Sequence, residues 1–283
     1  LELIDQGTYG QVYKAKSTQG KLYAIKKLSQ KYDSLEEAQK QNDIKILCSL
    51  PNHPHCARLI SHYIYEGALH LVFEYFEQNL LQFIQNEENK SGLKLRNINF
   101  MILQGICHLH NNKLIHRDIK PENIVLTQIS DFSFRLQVID FGLCTQHDKQ
   151  QHTNYMSTRW YRSPEQLLGL TDYNEKIDIF ATGCVIAEMC SGYPLFQGND
   201  QIDQLTKIIE VVGLPKTKYK YYDKLKVIKC DNYKQLTHKQ VVENLMVILG
   251  CDQTLCDMLS KMLNFDPMER PSAQQCLQFA YFK

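Results

Sequence analysis

The sequence predicts an α+β fold in which a small antiparallel β lobe with one helix precedes a large, mainly helical lobe. Three observations carry that prediction. Residues 1 to 28 read as strands broken by turn glycines, a helical pattern opens at Ser34, and the spacing of apolar residues turns helical beyond the Leu69 to Tyr75 strand.

Each element has its own signal. Strands are expected at Leu1 to Ile4, Gln11 to Ala15 and Leu22 to Leu28, with Gly7, Gly10 and Gly20 between them. From Ser34 the residues Leu35, Ala38, Ile46, Leu47 and Leu50 fall near one helical face, and Ser34 with Glu37 three residues on is a capping-box signature. Pro51 and Pro54 stop that helix. Strands over Ala57 to Ile64 and Leu69 to Tyr75 follow, and then a helix over Leu95 to His110 that repeats Ile98, Ile102, Ile106 and Leu109 at helical spacing. The polar stretch Asn86 to Gly92 reads as a surface loop.

Composition narrows the function classes. The chain has 283 residues, 43% of them hydrophobic, enough for one large domain or two lobes. Thirty-two basic against 31 acidic residues give a net charge of +1, so no broad cationic face speaks for nucleic acid or a membrane surface. No apolar run approaches the roughly 20 residues that span a bilayer, and the N-terminus has no signal-peptide pattern. The expectation is an intracellular protein, cytoplasmic or nuclear. The 10 cysteines include no Cys-x-x-Cys, so they are expected to serve as small packed residues rather than as a zinc or disulfide framework. Leu1 stands where a methionine would open a full chain, which suggests a segment of something longer.

Four separated elements carry chemistry together. Gly7-Thr8-Tyr9-Gly10-Gln11-Val12 is a glycine-paired turn where backbone N–H groups can approach phosphate oxygens, although a lone glycine turn is an ordinary hairpin. Tyr23-Ala24-Ile25-Lys26 alternates so that Ala24 and Lys26 share one face, giving a lysine that can act on phosphate as a point charge. His116-Arg117-Asp118-Ile119-Lys120-Pro121-Glu122-Asn123 places a proton acceptor, a cation and an amide oxygen able to ligate Mg²⁺ in one short loop. Asp140-Phe141-Gly142 puts a carboxylate at the end of the apolar strand Leu136 to Ile139. Asp131-Phe132-Ser133 is a decoy, since it lacks the glycine and precedes that strand.

Order and spacing of these elements resemble the eukaryotic protein kinases across essentially the whole chain. Ser157-Thr158-Arg159-Trp160-Tyr161-Arg162-Ser163-Pro164-Glu165, with Thr153-Asn154-Tyr155 before it, is similar to the CMGC group, above all to mitogen-activated kinases and the male-germ-cell-associated (RCK-type) kinases. The resemblance implies the two-lobe kinase fold, with residues 1–76 as the N-lobe, 77–283 as the C-lobe and a group-specific insert at about 213–240. It implies an ATP-dependent serine/threonine kinase that uses Mg²⁺, acts on protein Ser/Thr followed by Pro, and has an upstream activating kinase. A monomer with no nucleic-acid or membrane partner is expected.

By that resemblance Lys26 contacts the α and β phosphates, Asp140 and Asn123 hold Mg²⁺, Lys120 neutralises the γ-phosphate and Asp118 orients the incoming hydroxyl. Ile4, Gly7, Gly10, Val12, Ala24, Phe73, Glu74 and Phe76 line the nucleotide site, Phe73 as gatekeeper before the Glu74-Tyr75-Phe76 hinge. Thr158 is expected to touch Asp118, Asp178 to brace the catalytic loop from a buried helix, and Arg270 to pair with Glu165 as a purely structural bond.

Three departures from the family pattern bear on activity. Asp5 stands at the first glycine of the phosphate loop, where an anion weakens nucleotide binding unless it points to solvent. Asp43 replaces the helical Glu that pairs with the strand lysine and is one methylene shorter. The three arginines that grip the phosphothreonine in the relatives are here Asn42, Arg117 and Thr145, so one cation remains. Arg159 and Arg162, the expected phosphotyrosine partners, are present, which shifts the expected regulatory weight from Thr153 to Tyr155.

The rival reading from another class is a pseudokinase, a scaffold that binds nucleotide weakly without turnover; Asp5, Asp43 and Phe180 in place of Trp favour it. Retention of Lys26, Asp118, Asn123 and Asp140 opposes it. A metal site at His53-Pro54-His55-Cys56 is the weakest reading, and Cys144 is expected to be a packed residue rather than a reactive thiol.

Overall fold

The computed structural model describes residues 1–7, 10–86, 92–146, 159–216, 219–228 and 233–283. Along the chain run β1 (Glu2–Gly7), β2 (Gly10–Lys16), β3 (Leu22–Lys31), α1 (Leu35–Ala38), α2 (Asn42–Ser49), β4 (Ser61–Tyr65), β5 (Ala68–Glu74), β6 (Gln78–Asn79), α3 (Leu80–Ile84), α4 (Gly92–Asn111) and β7 (Leu114–Ile115). They are followed by β8 (Ile124–Ser130), β9 (Ser133–Val138), β10 (Thr145–Gln146), α5 (Pro164–Leu167), α6 (Lys176–Ser191), α7 (Gln201–Val212), α8 (His238–Leu249), α9 (Gln253–Met262) and α10 (Ala273–Cys276). The N-terminal sheet is antiparallel with order β1-β2-β3-β5-β4, and the C-terminal part is mainly helical. This is the two-part α+β architecture expected.

Each expected strand of the N-terminal sheet exists. The second glycine of the first turn has a packing reason: at Gly10 (φ +154) a Cβ would lie 2.0 Å from the carbonyl oxygen of Lys27 on β3. Only glycine lets β2 start so close to its neighbour.

The single helix expected from Ser34 is two helices. Ser34 caps α1 as expected, accepting from the Glu37 N–H at 3.1 Å, but the Glu37 carboxylate accepts from the Asp33 N–H instead of closing the box on Ser34. Gln39, Lys40 and Gln41 carry no apolar side chain to bury, and Gln41 adopts extended backbone (φ −65, ψ 140) before α2 restarts with buried Ile44 and Ile46.

The C-terminal core is built around α6, buried on every side from Ile177 to Met189. A helix apolar all round must be enclosed by others, and α4 and α9 pack on it. Phe180 is fully buried, stacks with Phe196 and lies under the Arg270 guanidinium, 5.0 Å from its ring centre. Arg270 meets Glu165 in a buried bidentate pair, with N–O distances of 2.6 and 2.8 Å. A fork-to-carboxylate geometry satisfies both groups away from water, so the expected structural bond is present. Between α7 and α8, Tyr219 and Leu225 are buried, and Tyr219 meets Phe265 edge-on.

A second polar group on α6 is Glu188, buried, whose carboxylate accepts from the Tyr161 hydroxyl at 2.7 Å. Burial raises its pKa from 4.5 to about 7, with the Glu122 charge adding to the rise and the Tyr161 hydroxyl opposing it. A carboxyl raised on folding is indifferent below pH 4.5, and ionising it costs stability progressively as pH climbs through about 7. Glu188→Gln keeps an acceptor for Tyr161. It is expected to gain on the order of 2 kcal/mol relative to the parent between pH 5 and pH 8, measured by denaturant unfolding; an equal difference at both pH values would contradict the assignment.

Candidate active site

The β8–β9 hairpin decides which acidic residue reaches the cleft. Ile124 pairs with Val138, and the Ile139 N–H extends the ladder by donating to the Asn123 carbonyl at 2.9 Å. Asn123 and Asp140 therefore leave the hairpin at the same end. The opposite end is the Ser130–Ser133 turn, where Asp131 is exposed and Phe132 is 50% exposed. Seven residues of strand, roughly 20 Å at about 3.3 Å per residue, separate the decoy from the site.

Asp140 sits in left-handed backbone (φ 63, ψ 76), uncommon for a residue with a side chain and costing about 1 kcal/mol or more. Phe141 explains how it is held. The Phe141 ring is 2% exposed, meets His116 edge-on at 5.7 Å, and belongs to a cluster with Ile46, Leu109 and Cys144. With Phe141 anchored, Asp140 faces the N-terminal sheet, where Lys26 Nζ lies 2.9 Å from its carboxylate. Burial pushes the Asp140 carboxyl up, but the Lys26 charge and hydrogen bond, His116 and the Gly142 N–H outweigh it and hold the pKa below the ordinary value. Lys26 therefore turns inward, paired with Val12 on β2 and Leu71 on β5 through the strand register.

The loop from His116 to Asn123 is tied from beneath by Asp178. One oxygen accepts from the Arg117 N–H at 2.9 Å; the other accepts from the His116 N–H at 2.8 Å and from His110 Nε2 at 3.0 Å. Burial opposes the charge of Asp178, yet His110, His116 and the Arg117 N–H keep its pKa lowered. These bonds fix Arg117 at φ 72, and His116 Nε2 donates to the Ile139 carbonyl at 2.9 Å, joining the loop to the hairpin. Above them Lys120 Nζ and Asn123 Nδ2 donate to the Asp118 carboxylate at 2.8 and 2.9 Å, and Asn123 Nδ2 also donates to the Asp118 carbonyl at 2.8 Å. With its nitrogen committed there, the amide of Asn123 presents Oδ1 on its other side.

Other expected residues fall as follows. Ala24 stands opposite Phe73 in the sheet, and Phe73 packs against both the cluster that holds Phe141 and the cluster of the N-terminal sheet. Ile4 is 44% exposed on β1, Val12 and Ala24 are half-buried, and Gly7 faces Gly10 across the turn. Asp5 is exposed and its carboxylate accepts from the Gln6 N–H at 2.8 Å. Arg162 is half-buried, and burial with repulsion from Arg159 lowers its pKa against the pull of Asp118, which places both cations near the loop. Arg117 lies over the Tyr173 ring at 5.8 Å. Thr145 is buried and strand-paired with Ile115. Thr153, Tyr155 and Thr158 lie outside the described residues, as do the side chains of Asn42 and Asp43.

Arg135 carries no motif that marks it in the sequence. It forms an ion pair with Glu74 and stacks its guanidinium 5.4 Å from the centre of the Phe76 ring, clasping the hinge, while Thr127 accepts from the Glu77 N–H at 3.1 Å. Alternation along β9 says only that Arg135 points away from Phe134 and Leu136.

The histidine-rich segment after α2 is structural. His55 donates through Nδ1 to the Leu136 carbonyl at 3.1 Å, His53 Nδ1 accepts from the His55 N–H, and His53 stacks on His108. Burial and its two histidine neighbours lower His53 to about 4, and burial raises Cys56 to about 12. Among the described residues no cluster of ligating side chains could hold a metal there. Cys144 is 3% exposed with its thiol pushed up by burial, as a packed residue should be.

A lysine on the third strand paired to a carboxylate at the end of a hairpin, beside an Asp-Lys-Asn loop braced by a buried Asp, is the arrangement of a phosphotransferase of the two-lobe kinase type. The protein kinase domain family matches residues 1–282, and the chain belongs to that family. It is 36% identical to a probable serine/threonine-protein kinase of Dictyostelium discoideum over the whole chain, 35% identical to the serine/threonine-protein kinase ICK of Mus musculus and 34% identical to MAK of Homo sapiens. These relatives place it with the MAK-related kinases of the CMGC group. All of this chain aligns, but it spans about half of their length: 55%, 44% and 45% respectively. No helix among the described residues is long and apolar enough to cross a membrane.

Asp131 and Asp140 lie at opposite ends of the β8–β9 hairpin. Mg·ATP at a hundredfold excess over its Kd is expected to stabilise the parent and Asp131→Asn by about 2.7 kcal/mol, and Asp140→Asn by far less. Thermal denaturation with and without Mg·ATP measures it; loss of the effect in Asp131→Asn would overturn the placement.

Proposed function

We propose that the chain transfers the γ-phosphate of ATP to serine or threonine hydroxyls of protein substrates. The observation that carries the reading is the convergence of Lys26, Asp140, Asp118, Lys120 and Asn123 in one cleft. Lys26 would hold the α and β phosphates, and its charge keeps Asp140 anionic. The carboxylate of Asp140 and the amide oxygen of Asn123 are hard oxygen donors suited to Mg²⁺. When bound, the ion supplies charge neutralisation between the β and γ phosphates. Asp118 would accept the hydrogen of the substrate hydroxyl and aim its oxygen, while Lys120, already beside Asp118, would follow the charge on the transferred group. Because phosphoryl transfer has a loose transition state, position and charge supply most of the rate and a strong base is not required.

In this reading Ile4, Gly7, Gly10, Val12, Ala24 and Phe73 line the nucleotide site, and backbone groups of the Glu74 to Phe76 hinge bind adenine. Substrates have proline after the phosphoacceptor, accepted by the segment from Ser157 to Glu165 with Arg162. The retained Lys26, Asp118, Asn123 and Asp140 speak against the pseudokinase alternative. A phosphotransfer assay with Mg·ATP and paired Ser-Pro and Ser-Ala peptides tests it: turnover on the Ser-Pro peptide should fall at least a thousandfold, about 4 kcal/mol, in Asp118→Asn. Parent turnover no greater than that variant's would leave the scaffold reading standing.

Phosphorylation of the activation loop is expected to work mainly through Tyr155. Thr145 is enclosed and strand-paired, so it offers nothing to a phosphothreonine, whereas the mutual repulsion of Arg159 and Arg162 is relieved by an anion between them. Tyr155→Phe should therefore lose more activity than Thr153→Ala once both are treated with an activating kinase. Equal, severe losses would defeat the assignment.

A further inference from the structure

The hinge is a gap between two ladders. β5 ends at Glu74 and β6 begins at Gln78, so Tyr75, Phe76 and Glu77 belong to neither strand. Backbone outside a ladder is available to a ligand, but no ladder holds it in place. One rung of the β8–β9 hairpin takes over that task. Thr127 and Arg135 stand directly opposite one another, which puts both side chains on the same face of the hairpin. The buried Thr127 accepts the Glu77 N–H at 3.1 Å, while Arg135 pairs with Glu74 and lays its guanidinium 5.4 Å from the centre of the Phe76 ring. From β2, Lys14 Nζ reaches to 4.9 Å from the centre of the Tyr75 ring. Every residue from Glu74 to Glu77 is thus held by a partner outside the segment.

We propose that Arg135 is a positioning residue for recognition of the nucleotide base: by fixing Glu74 and Phe76 it keeps the hinge backbone in the one conformation that matches an adenine edge. The inference rests on the reading of the hinge as the adenine site. An adenine edge accepts at a ring nitrogen and donates from its amino group, whereas hypoxanthine reverses both. A hinge held in one conformation therefore prefers adenine, and a loosened hinge loses part of that preference.

Arginine suits the task better than another cation would. An exposed ion pair alone adds little, but a planar guanidinium joins an ion pair to a stack and so grips two positions of one segment at once. The hairpin also carries the proposed metal ligands, with Asn123 just before β8 and Asp140 just past the end of β9. The element that holds the hinge is therefore the one that places the two oxygen donors, and base and phosphates are registered against a single support. Arg135 lies among no reacting atoms. Its loss makes the base order the hinge on binding and leaves the chemical step as it was.

Calorimetric titration of the purified chain with Mg·ATP and with magnesium inosine triphosphate, and kinetics with the nucleotide varied at saturating peptide, test the assignment. In Arg135→Ala the Kd and KM for ATP should rise about fivefold, with kcat changed less than about twofold. The preference for ATP over inosine triphosphate should shrink by the same factor. Arg135→Lys keeps a charge for Glu74 but has no plane to lay on Phe76, and its values should fall between those of the parent and Arg135→Ala. Thr127→Val, which removes the acceptor of the Glu77 N–H, should shrink the preference as Arg135→Ala does. Equal weakening of both nucleotides in Arg135→Ala would mark a long-range effect of charge on the triphosphate and overturn the proposal. So would an ATP preference in Arg135→Ala as large as the parent's, which would leave the adenine reading intact. A parent that binds both nucleotides equally would instead remove the adenine reading of the hinge, and this proposal with it.

Discussion

The bond set on Asp178 is the constraint on which the site depends. A carboxylate enclosed in the apolar surface of α6 is costly unless its oxygens are filled, and three donors fill them: the N–H groups of His116 and Arg117 and the imidazole of His110. The debt is settled by shaping the loop that passes over it. Arg117 is pinned at φ 72, and from that kink Asp118 is thrown upward to meet Lys120 and Asn123. Without the buried acceptor the loop would have to satisfy two backbone donors some other way, and the left-handed turn has no reason to persist.

A second constraint transmits this order to the N-terminal half. His116 is held by Ile139, the residue before Asp140, and its ring also touches Phe141. Phe141 shares its cluster with Ile46 of α2, Leu47 and Phe73, and the last two pack against the N-terminal sheet cluster as well. Apolar packing thus runs from the catalytic loop through Phe141 to α2 and β5, while the Lys26–Asp140 pair closes the polar side of the same span. Displacing Phe141 would cost burial and leave Asp140 without the anchor that turns it toward Lys26, so the polar and apolar links stand or fall together.

How much of this was legible before folding follows from what each feature rests on. The Asp118 to Asn123 loop and Asp140 were readable because chemistry demands particular residue types at short spacing. The decoy at Asp131 was separable because position relative to a strand is itself a sequence property. The break between α1 and α2 was not, since Gln39, Lys40 and Gln41 are good helix formers and only the lack of anything to bury ends the helix. The clasp of Arg135 on Glu74 and Phe76 was invisible for a different reason. Periodicity says which face a residue takes, and these contacts depend on which distant element that face meets.

The departures from the kinase pattern take on physical meaning in the same way. Thr145 does not leave a hole where a cation stood; it is buried and paired with Ile115 in the short β7–β10 ladder, so that strand is stapled by its backbone. Asp5, exposed on β1, accepts the N–H of the next residue, Gln6. On the other side of the same span Lys26 has its partner in Asp140, 2.9 Å away, so the lysine is oriented from the C-terminal half of the chain.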